Sequence, residues 1–288
     1  NPGDALRPTV QRLVDVAEEA GLTYEVIAVS DGSTDGSEAT IRGLAPSVRV
    51  LVSAQNLGKG AALHRGFAVA RGRYIGFVDA DGDIDPRHVI DYYHAARVGD
   101  HEVVYASKRH RESESASSAL RKVISYGFIA FVGCLFALGI EDTQTGCKVF
   151  RRQALARVLP RLREQRFAFD LEFFVAARAA GIRRMAAAPV AIESRVAGST
   201  VGRAAITRTL TDALTVLARL HFSPTYRTSV APAGAAAAPR APDTVSGPGS
   251  YIPSFALLGG TPPGIPLFFA AFPRRPHAAK TRCRQDPM

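Results

Sequence analysis

The stretch that decides the fold is Tyr74-Ile75-Gly76-Phe77-Val78-Asp79-Ala80-Asp81-Gly82-Asp83, in which five mostly apolar residues lead into three carboxylates spaced two apart. Such an apolar run is typical of a buried strand in a parallel sheet that is covered on both faces. The carboxylates then fall where the strand leaves the sheet, which is the edge where open α/β sheets bind ligands. Because alternate residues of an extended segment point the same way, Asp79, Asp81 and Asp83 could converge on one cation.

These carboxylates allow two interpretations. Their hard oxygen atoms suit Mg²⁺ or Mn²⁺, and either ion would in turn bind the phosphates of a nucleotide. The alternative is a solvent-exposed turn, since Asp-Gly is a common turn dipeptide. The stretch alone supports both interpretations equally, and the surrounding segments favour the metal site.

Composition and charge limit the possible classes of protein. The length of 288 residues suggests one sizeable domain with additions. Three widely spaced cysteines form neither a disulfide framework nor a metal-binding pattern, which fits a reducing compartment. Of the net charge of +10, half comes from residues 227–288, which hold seven Lys/Arg and two Asp/Glu. The remainder is compatible with anionic substrates, and no nucleic-acid partner is expected because aromatic and basic residues do not alternate as in RNA-binding sheets.

Strand and helix patterns alternate along most of the chain. Apolar runs predict strands, and a helical period of apolar residues predicts helices between them. The alternation predicts a three-layer α/β fold with a mostly parallel sheet. The predicted strands are 24–30, 48–52, 74–78, 103–107, a short one at 149–150, and 187–192. The predicted helices are 4–20, one ending near 44, 61–70, 86–98, one starting near 166 and a last one ending near 221.

The turn Asn56-Leu57-Gly58-Lys59-Gly60 places a lysine at the start of a predicted helix. Its spacing fails the Walker A pattern because Ala61 follows the Gly-Lys pair, and it fails the dinucleotide fingerprint because Leu63 stands at the third glycine position. What remains is a cationic side chain at a helix N-terminus, where a diphosphate could bind.

A long uncharged segment follows a polar run in the second half of the chain. Residues 123–140 contain no charge over 18 residues, which is the lower limit for a membrane span. A buried helix, or a helix at the membrane interface behind the basic residues at 108–122, is favoured over a crossing.

The composition changes at residue 227. Eleven of the 18 prolines lie in residues 227–288, so this segment is predicted to be a low-complexity, disordered tail behind a domain spanning 1–226. Within it, 251–272 is apolar enough for a hairpin or an anchor. Its four prolines and three glycines argue against a membrane helix.

Several motifs together resemble the family 2 glycosyltransferases, which have the GT-A, Rossmann-like nucleotide-diphospho-sugar transferase fold. The motifs are Val29-Ser30-Asp31-Gly32-Ser33-Thr34-Asp35-Gly36, Asn56-Leu57-Gly58-Lys59-Gly60 and Asp79-Ala80-Asp81. Asp142-Thr143-Gln144-Thr145-Gly146-Cys147-Lys148-Val149-Phe150 and Arg166-Phe167-Ala168-Phe169-Asp170-Leu171-Glu172 narrow the resemblance to the polyprenyl-phosphate branch, particularly the dolichyl-phosphate β-glucosyltransferases. The resemblance covers roughly residues 1–226.

The resemblance implies a role for each matching residue. The nucleotide sugar would contact Asp31, Lys59 and Asp79, and the metal, Mg²⁺ or Mn²⁺, would bind Asp79 and Asp81 with Asp83 as a third candidate. Catalytic roles would fall to Asp142, Asp81 and Arg195, with Asp142 as an orienting group or base. The acceptor phosphate would be received by Lys108, Arg121 and Ser199.

The implied reaction is the inverting transfer of a hexose, glucose from UDP-glucose, to a polyprenyl or dolichyl phosphate at the cytoplasmic face of a membrane. A GDP-mannose-dependent mannosyltransferase and a soluble family 2 enzyme with a non-lipid acceptor remain as alternatives. A processive polysaccharide synthase is disfavoured because its motif needs Trp, which the chain lacks. Two departures stand out: Asn1 matches a position inside the nucleotide loop, so the family's first strand is expected to be missing, and Lys108 stands where Arg is usual.

Overall fold

A computed structural model of the chain describes residues 3–115, 138–166, 168–193, 203–222 and 266–272, together with residues 127, 130, 131, 133, 135, 136 and 226. The helices are α1 (Leu6–Glu19), α2 (Lys59–Val69), α3 (Arg87–Val98), α4 (Arg152–Val158), α5 (Phe169–Ala179) and α6 (Arg203–Phe222). The strands are β1 (Thr23–Asp31), β2 (Val48–Ser53), β3 (Tyr74–Asp79), β4 (Val103–Ala106), β5 (Glu114–Ser115), β6 (Cys147–Arg151), β7 (Met185–Ala188), β8 (Ala191–Ile192) and β9 (Pro266–Phe272).

Seven strands form the main sheet in the order β2-β1-β9-β3-β6-β4-β7. β1 pairs in parallel with β2, and β4 pairs in parallel with β7. β9 and β6 are antiparallel to their neighbours, so the other five strands share one direction. The predicted α/β fold with a mostly parallel sheet is confirmed. A small second sheet pairs β5 with β8.

The alternation of side chains along β3 separates two apolar layers. Ile75 and Phe77 belong to a core cluster that includes residues of α2, α4 and α5. Tyr74 and Val78 belong to a second cluster with residues of α1 and α3. Because neighbouring strand residues point to opposite faces, helices cover the sheet on both sides and give the three layers.

Glycine and proline account for two differences from the predicted elements. The helix predicted to end near residue 44 is a short 3₁₀ helix, Ser37–Ile41, which is bounded by Gly36 at φ 67° and Gly43 at φ 73°. The strand predicted over 187–192 is divided into β7 and β8, and Pro189, which has no N–H to donate, lies between them.

Strand β9 lies between β1 and β3 and runs antiparallel to both, with Ala270 opposite Glu25 on one side and Ile75 on the other. It comes from the segment predicted to be a low-complexity tail and lies within the hairpin or anchor predicted over 251–272. The rest of 227–288 lies outside the described residues, as does most of the hairpin or anchor predicted over 251–272.

Part of the uncharged segment 123–140 contacts the protein core. Leu138 is buried in the core cluster that includes Ile75, Phe77 and residues of α5. Phe131, Phe136 and Ile140 are half-buried against the same cluster. Over the described portion of the chain, no helix has both the length and the apolar character needed to cross a membrane.

Candidate active site

The candidate site forms where β1 and β3 leave the sheet. β1 ends at Asp31 and β3 ends at Asp79. Because the two strands run in the same direction, both carboxylates lie at the same edge of the sheet. α2 begins at Lys59, whose side chain reaches Asp79.

Asp31 holds the loop that precedes α2. Its Oδ1 accepts a hydrogen bond from the Leu57 N–H (3.1 Å) and its Oδ2 accepts one from the Gly58 N–H (2.7 Å). Gly32 has φ +69°, and a Cβ atom at this residue would lie 2.5 Å from the Asn56 nitrogen, so only glycine fits. These contacts give Asp31 a loop-positioning role, and its contact with a nucleotide stays a prediction.

Two glycines fix the start of α2 against the loop at residues 163–166. A Cβ atom at Gly58 would lie 2.5 Å from the Gln165 carbonyl oxygen, and one at Gly60 would lie 2.5 Å from the Glu164 carbonyl oxygen. The Ala61 N–H donates a hydrogen bond to the Gln165 carbonyl at 3.0 Å. This close approach of two backbones fixes the position of Lys59 at the helix N-terminus.

Lys59 is shared by two carboxylates. Its Nζ lies 3.3 Å from Asp79 Oδ1 and 3.3 Å from Asp170 Oδ2, and its side chain is only 7% exposed. Burial alone would lower the pKa of Lys59, but Asp170 and Asp79 together raise it above its ordinary value. Burial raises the pKa of Asp79 to about 7, even though Lys59 opposes the shift.

Lys148 completes a buried chain of four charges. Its Nζ lies 2.7 Å from Asp170 Oδ1 and donates a hydrogen bond to the Thr145 carbonyl oxygen at 2.8 Å. The residues alternate in sign in the order Asp79, Lys59, Asp170, Lys148, so their charges balance when Asp79 is ionised. A buried charge without a partner is strongly destabilising, so each member depends on the next.

No site role was predicted for Lys148 or Asp170. A signal for both was present, because Lys148 lies in the apolar run of β6 and Asp170 stands between Phe169 and Leu171. Charged residues in apolar runs are rarely buried unless they are paired. Two such residues of opposite sign therefore indicate a buried ion pair.

The three carboxylates after β3 do not converge as predicted. The extended backbone ends at Asp79, and Gly82 has φ 78°, so the period of two stops there. The Asp83 N–H instead donates a hydrogen bond to Asp81 Oδ1 at 3.1 Å. Among the residues that the structure describes, no three His, Cys, Asp or Glu side chains are placed to hold one metal ion.

Asp79 nevertheless fits a cation that is shared with a diphosphate. Its Oδ1 is buried and accepts no hydrogen bond, although Lys59 Nζ lies nearby. Gly146 leaves room for this carboxylate, since a Cβ atom there would overlap Asp79 Oδ2. Mg²⁺ is usually bound by one or two carboxylates together with substrate phosphates, so Asp79 and Asp81 would be enough to hold it, and this metal role stays a prediction.

Asp142 organises the loop before β6. Its Oδ2 accepts hydrogen bonds from Thr145 Oγ1 (2.6 Å) and the Lys108 N–H (3.2 Å), and its Oδ1 accepts one from the Gln144 N–H (2.9 Å). Asp142 is 4% exposed, whereas Lys108 is exposed. Asp142 therefore links the loop to the segment expected to receive the acceptor phosphate. Its role near the reacting centre stays a prediction.

Three predicted site residues are not placed. Arg121, Arg195 and Ser199 lie outside the described residues. The catalytic role of Arg195 and the assignment of Arg121 and Ser199 to the acceptor phosphate stay predictions.

Glu172 holds the loop that packs against the start of α2. Its Oε2 accepts hydrogen bonds from the backbone N–H groups of Arg163 and Glu164, both at 2.7 Å. Its Oε1 accepts the Tyr226 hydroxyl and lies 3.3 Å from Arg219 Nη1. Glu172 thus fixes the loop against which α2 packs, and it joins that loop to α6.

Comparison with curated proteins gives a consistent set of relatives. The chain is 36% identical over 167 residues to the dolichyl-phosphate beta-glucosyltransferase of Dictyostelium discoideum, covering 54% of this chain and 51% of the relative. It is 34% identical over 172 residues to the human protein of the same name, covering 56% and 53%. The chain spans about half the length of the curated relatives it matches.

Solved structures share the fold at low sequence identity. Mannosyl-3-phosphoglycerate synthase from Rubrobacter xylanophilus superposes with a TM-score of 0.59 at 18% identity, covering 76% of this chain and 70% of that one. Glucosyl-3-phosphoglycerate synthase from Mycobacterium tuberculosis, solved with Mn²⁺, uridine diphosphate and phosphoglyceric acid, gives a TM-score of 0.56 at 17% identity, covering 75% of each chain. The GT-A fold expected from the motifs is confirmed.

The profile of glycosyl transferase family 2 matches residues 1–159, which is more than half of the chain. The matched region contains Asp31, Lys59, Asp79 and Asp142, around which the candidate site is built. The chain therefore belongs to glycosyl transferase family 2.

Proposed function

We propose that this protein transfers a hexose from a nucleotide sugar to a polyprenyl or dolichyl phosphate with inversion at the anomeric carbon. The observation that carries the proposal is the buried pair of Lys59 and Asp79 at the sheet edge, where Asp79 Oδ1 still lacks a hydrogen bond. The names of the curated relatives favour glucose as the sugar and a dolichyl phosphate as the acceptor. UDP-glucose is the proposed donor.

The acceptor needs little activation, because a polyprenyl phosphate is already anionic at neutral pH. The harder task is to stabilise the departing nucleoside diphosphate, whose negative charge grows as the bond to the sugar breaks. Mg²⁺ or Mn²⁺ bound by Asp79 and Asp81 would supply Lewis-acid stabilisation of that charge. Lys59 contributes a further positive charge at the same edge of the sheet. A single displacement on an α-linked donor gives a β-linked lipid product.

The acceptor is proposed to approach from the side of Lys108. This residue is exposed, and its backbone is held by Asp142 at 3.2 Å. Arg121 and Ser199 would complete the phosphate site, and Arg195 would lie in the loop that closes over it. A lipid acceptor implies action at a membrane surface, and we propose the cytoplasmic face, with the protein bound peripherally.

The first test is transfer of radiolabel from UDP-glucose, and separately from GDP-mannose, into polyprenyl phosphate. We expect label from UDP-glucose in the lipid phase with Mg²⁺ or Mn²⁺ and none with EDTA. Asp81→Asn should reduce transfer by about a hundredfold or more, whereas the matched control Asp91→Asn, an exposed residue of α3, should not. Full transfer in EDTA would refute the metal role. Label from GDP-mannose alone would replace glucose by mannose, and no label from either donor would refute the lipid hexosyl transfer.

A further inference from the structure

We propose that Lys59 is the resident cation beside Asp79 in the donor-free protein, and that Asp170 is the positioning residue that retains Lys59 when a divalent cation takes that place. The inference rests on the proposed metal-dependent function, adds a second task for Lys59 and gives a task to Asp170, which has no role in the proposed reaction. It concerns how the charge of Asp79 is balanced before a metal binds and how Lys59 would make room for the metal.

Lys59 and a divalent cation would compete for one oxygen atom of Asp79. Lys59 Nζ lies 3.3 Å from Asp79 Oδ1, the buried atom that accepts no hydrogen bond. A divalent cation bound to this oxygen would face the ammonium at short range in a region with little solvent. Like charges repel strongly there, so Lys59 must withdraw from Asp79 Oδ1 as the metal enters.

Asp170 provides the place to which Lys59 can withdraw. Asp170 Oδ2 lies 3.3 Å from Lys59 Nζ, so the lysine can leave Asp79 without losing its other ion pair. Asp170 itself is held in place, because its Oδ1 is paired with Lys148 at 2.7 Å and its side chain is only 2% exposed. Lys148 is in turn fixed by the Thr145 carbonyl oxygen and lies 5.3 Å from the centre of the Phe77 ring.

Removing the carboxylate of Asp170 would change how Lys59 competes with the metal. Without Asp170, the buried ammonium of Lys59 would have Asp79 as its remaining anionic partner, and it would compete harder with the metal. Loss of a nearby negative charge would also weaken metal binding directly, but that effect does not need Lys59. The two explanations therefore differ in whether the effect of Asp170 depends on the presence of Lys59.

A double-mutant cycle measures this dependence. Mn²⁺ binding to the full chain would be followed by electron paramagnetic resonance with saturating UDP, for the wild type, Asp170→Asn, Lys59→Met and the double variant. We expect Asp170→Asn to weaken Mn²⁺ binding by about tenfold when Lys59 is present and by less than about threefold in the Lys59→Met background. Lys59→Met alone should bind Mn²⁺ more tightly than the wild type when UDP is absent. Asp91→Asn serves as the control and should change nothing.

Equal weakening in both backgrounds would overturn the proposal, as would weaker Mn²⁺ binding by Lys59→Met without UDP, or no Mn²⁺ binding by the wild type. These readouts involve no sugar transfer. If the cycle behaves as expected but no label reaches the lipid, the hexosyl transfer is wrong while the role of Lys59 stands.

A second measurement leaves Asp170 unchanged, in case its replacement prevents folding. The chain has five lysines, so ¹³C labelling at the lysine ε-carbon gives a simple spectrum in which Lys59→Arg assigns one signal. Mg²⁺ with UDP should shift the Lys59 signal and leave that of Lys148, which stays paired with Asp170. An unshifted Lys59 signal at saturation would overturn the proposal.

Discussion

Replacing Glu172 by Gln keeps the size of the side chain and removes its charge. This change tests how much Glu172 stabilises the loop at residues 163–166, against which α2 packs. Glu172 is fully buried, and both of its oxygen atoms accept hydrogen bonds. A Gln side chain can present its carbonyl oxygen to only one side. If that oxygen faces the two backbone N–H groups, the amide N–H₂ faces the guanidinium of Arg219, which cannot accept a hydrogen bond.

The expected cost follows from the contacts that are lost. Hydrogen bonds to a buried charged group contribute about 1.5–3 kcal/mol each, and breaking a buried ion pair leaves the partner unsatisfied. Arg219 is 32% exposed, so water compensates part of that loss. We therefore expect Glu172→Gln to lower the free energy of unfolding by about 3 kcal/mol.

Urea unfolding followed by circular dichroism measures this difference. Glu19→Gln, an exposed residue at the end of α1, is the matched control and should change stability by less than about 0.5 kcal/mol. A Glu172→Gln variant no less stable than this control would refute the reasoning. It would show that the two backbone N–H groups find other acceptors without cost.

Three further predictions concern single positions. Gly146→Ala should weaken Mn²⁺–UDP binding about tenfold or more, because its Cβ atom would displace the Asp79 carboxylate; Gly133→Ala, with open space around it, is the control, and equal binding by both variants would contradict the prediction. Asp31→Asn should lower the unfolding free energy by about 1–3 kcal/mol, since an amide cannot accept hydrogen bonds on both sides, and an unchanged urea midpoint would argue against the loop-positioning role. Burial raises the pKa of Glu25 above its ordinary value of 4.5, so the contribution of its protonated form to stability is fully present below that value and is lost as pH rises through the folded pKa. The stability of Glu25→Gln relative to the wild type should therefore increase from about pH 4 to neutral pH. A constant difference between the two proteins would show that Glu25 does not titrate this way.

Sequence patterns predicted the fold where one local signal was dominant. The apolar run ending at Asp79 and the helical period after Lys59 gave β3 and α2 nearly at their observed bounds. The short 3₁₀ helix Ser37–Ile41 was overestimated, because propensity does not reveal that Gly36 and Gly43 both adopt positive φ. A hairpin or anchor was predicted over 251–272, but the place of β9 in the main sheet was not, since its pairing partners lie far away in sequence.

The candidate site was predicted where spacing along one strand or turn was enough. Lys59 and Asp79 were assigned to the same site and lie 3.3 Å apart. Their further partner Asp170 comes from α5, and a tertiary contact of this kind leaves no trace in local spacing. The assignment of Asp83 extended the period of two past the end of β3, where a turn begins and the Asp83 N–H donates to Asp81 Oδ1, so its role as a metal ligand stays a prediction.

The pairing of β9 with β1 and β3 also determines when this protein can fold. Glu25 and Ala270 are neighbours in the sheet but lie near opposite ends of the sequence. Contacts of such long range slow folding, because a large loop must close before any pairing compensates for its entropy. During synthesis, which proceeds at about 5–20 residues per second, β1 and β3 leave the ribosome well before their shared partner exists. Their facing edges stay unpaired over that interval and can pair with other chains. We therefore expect newly made protein to depend on chaperones until Pro266–Phe272 has been released.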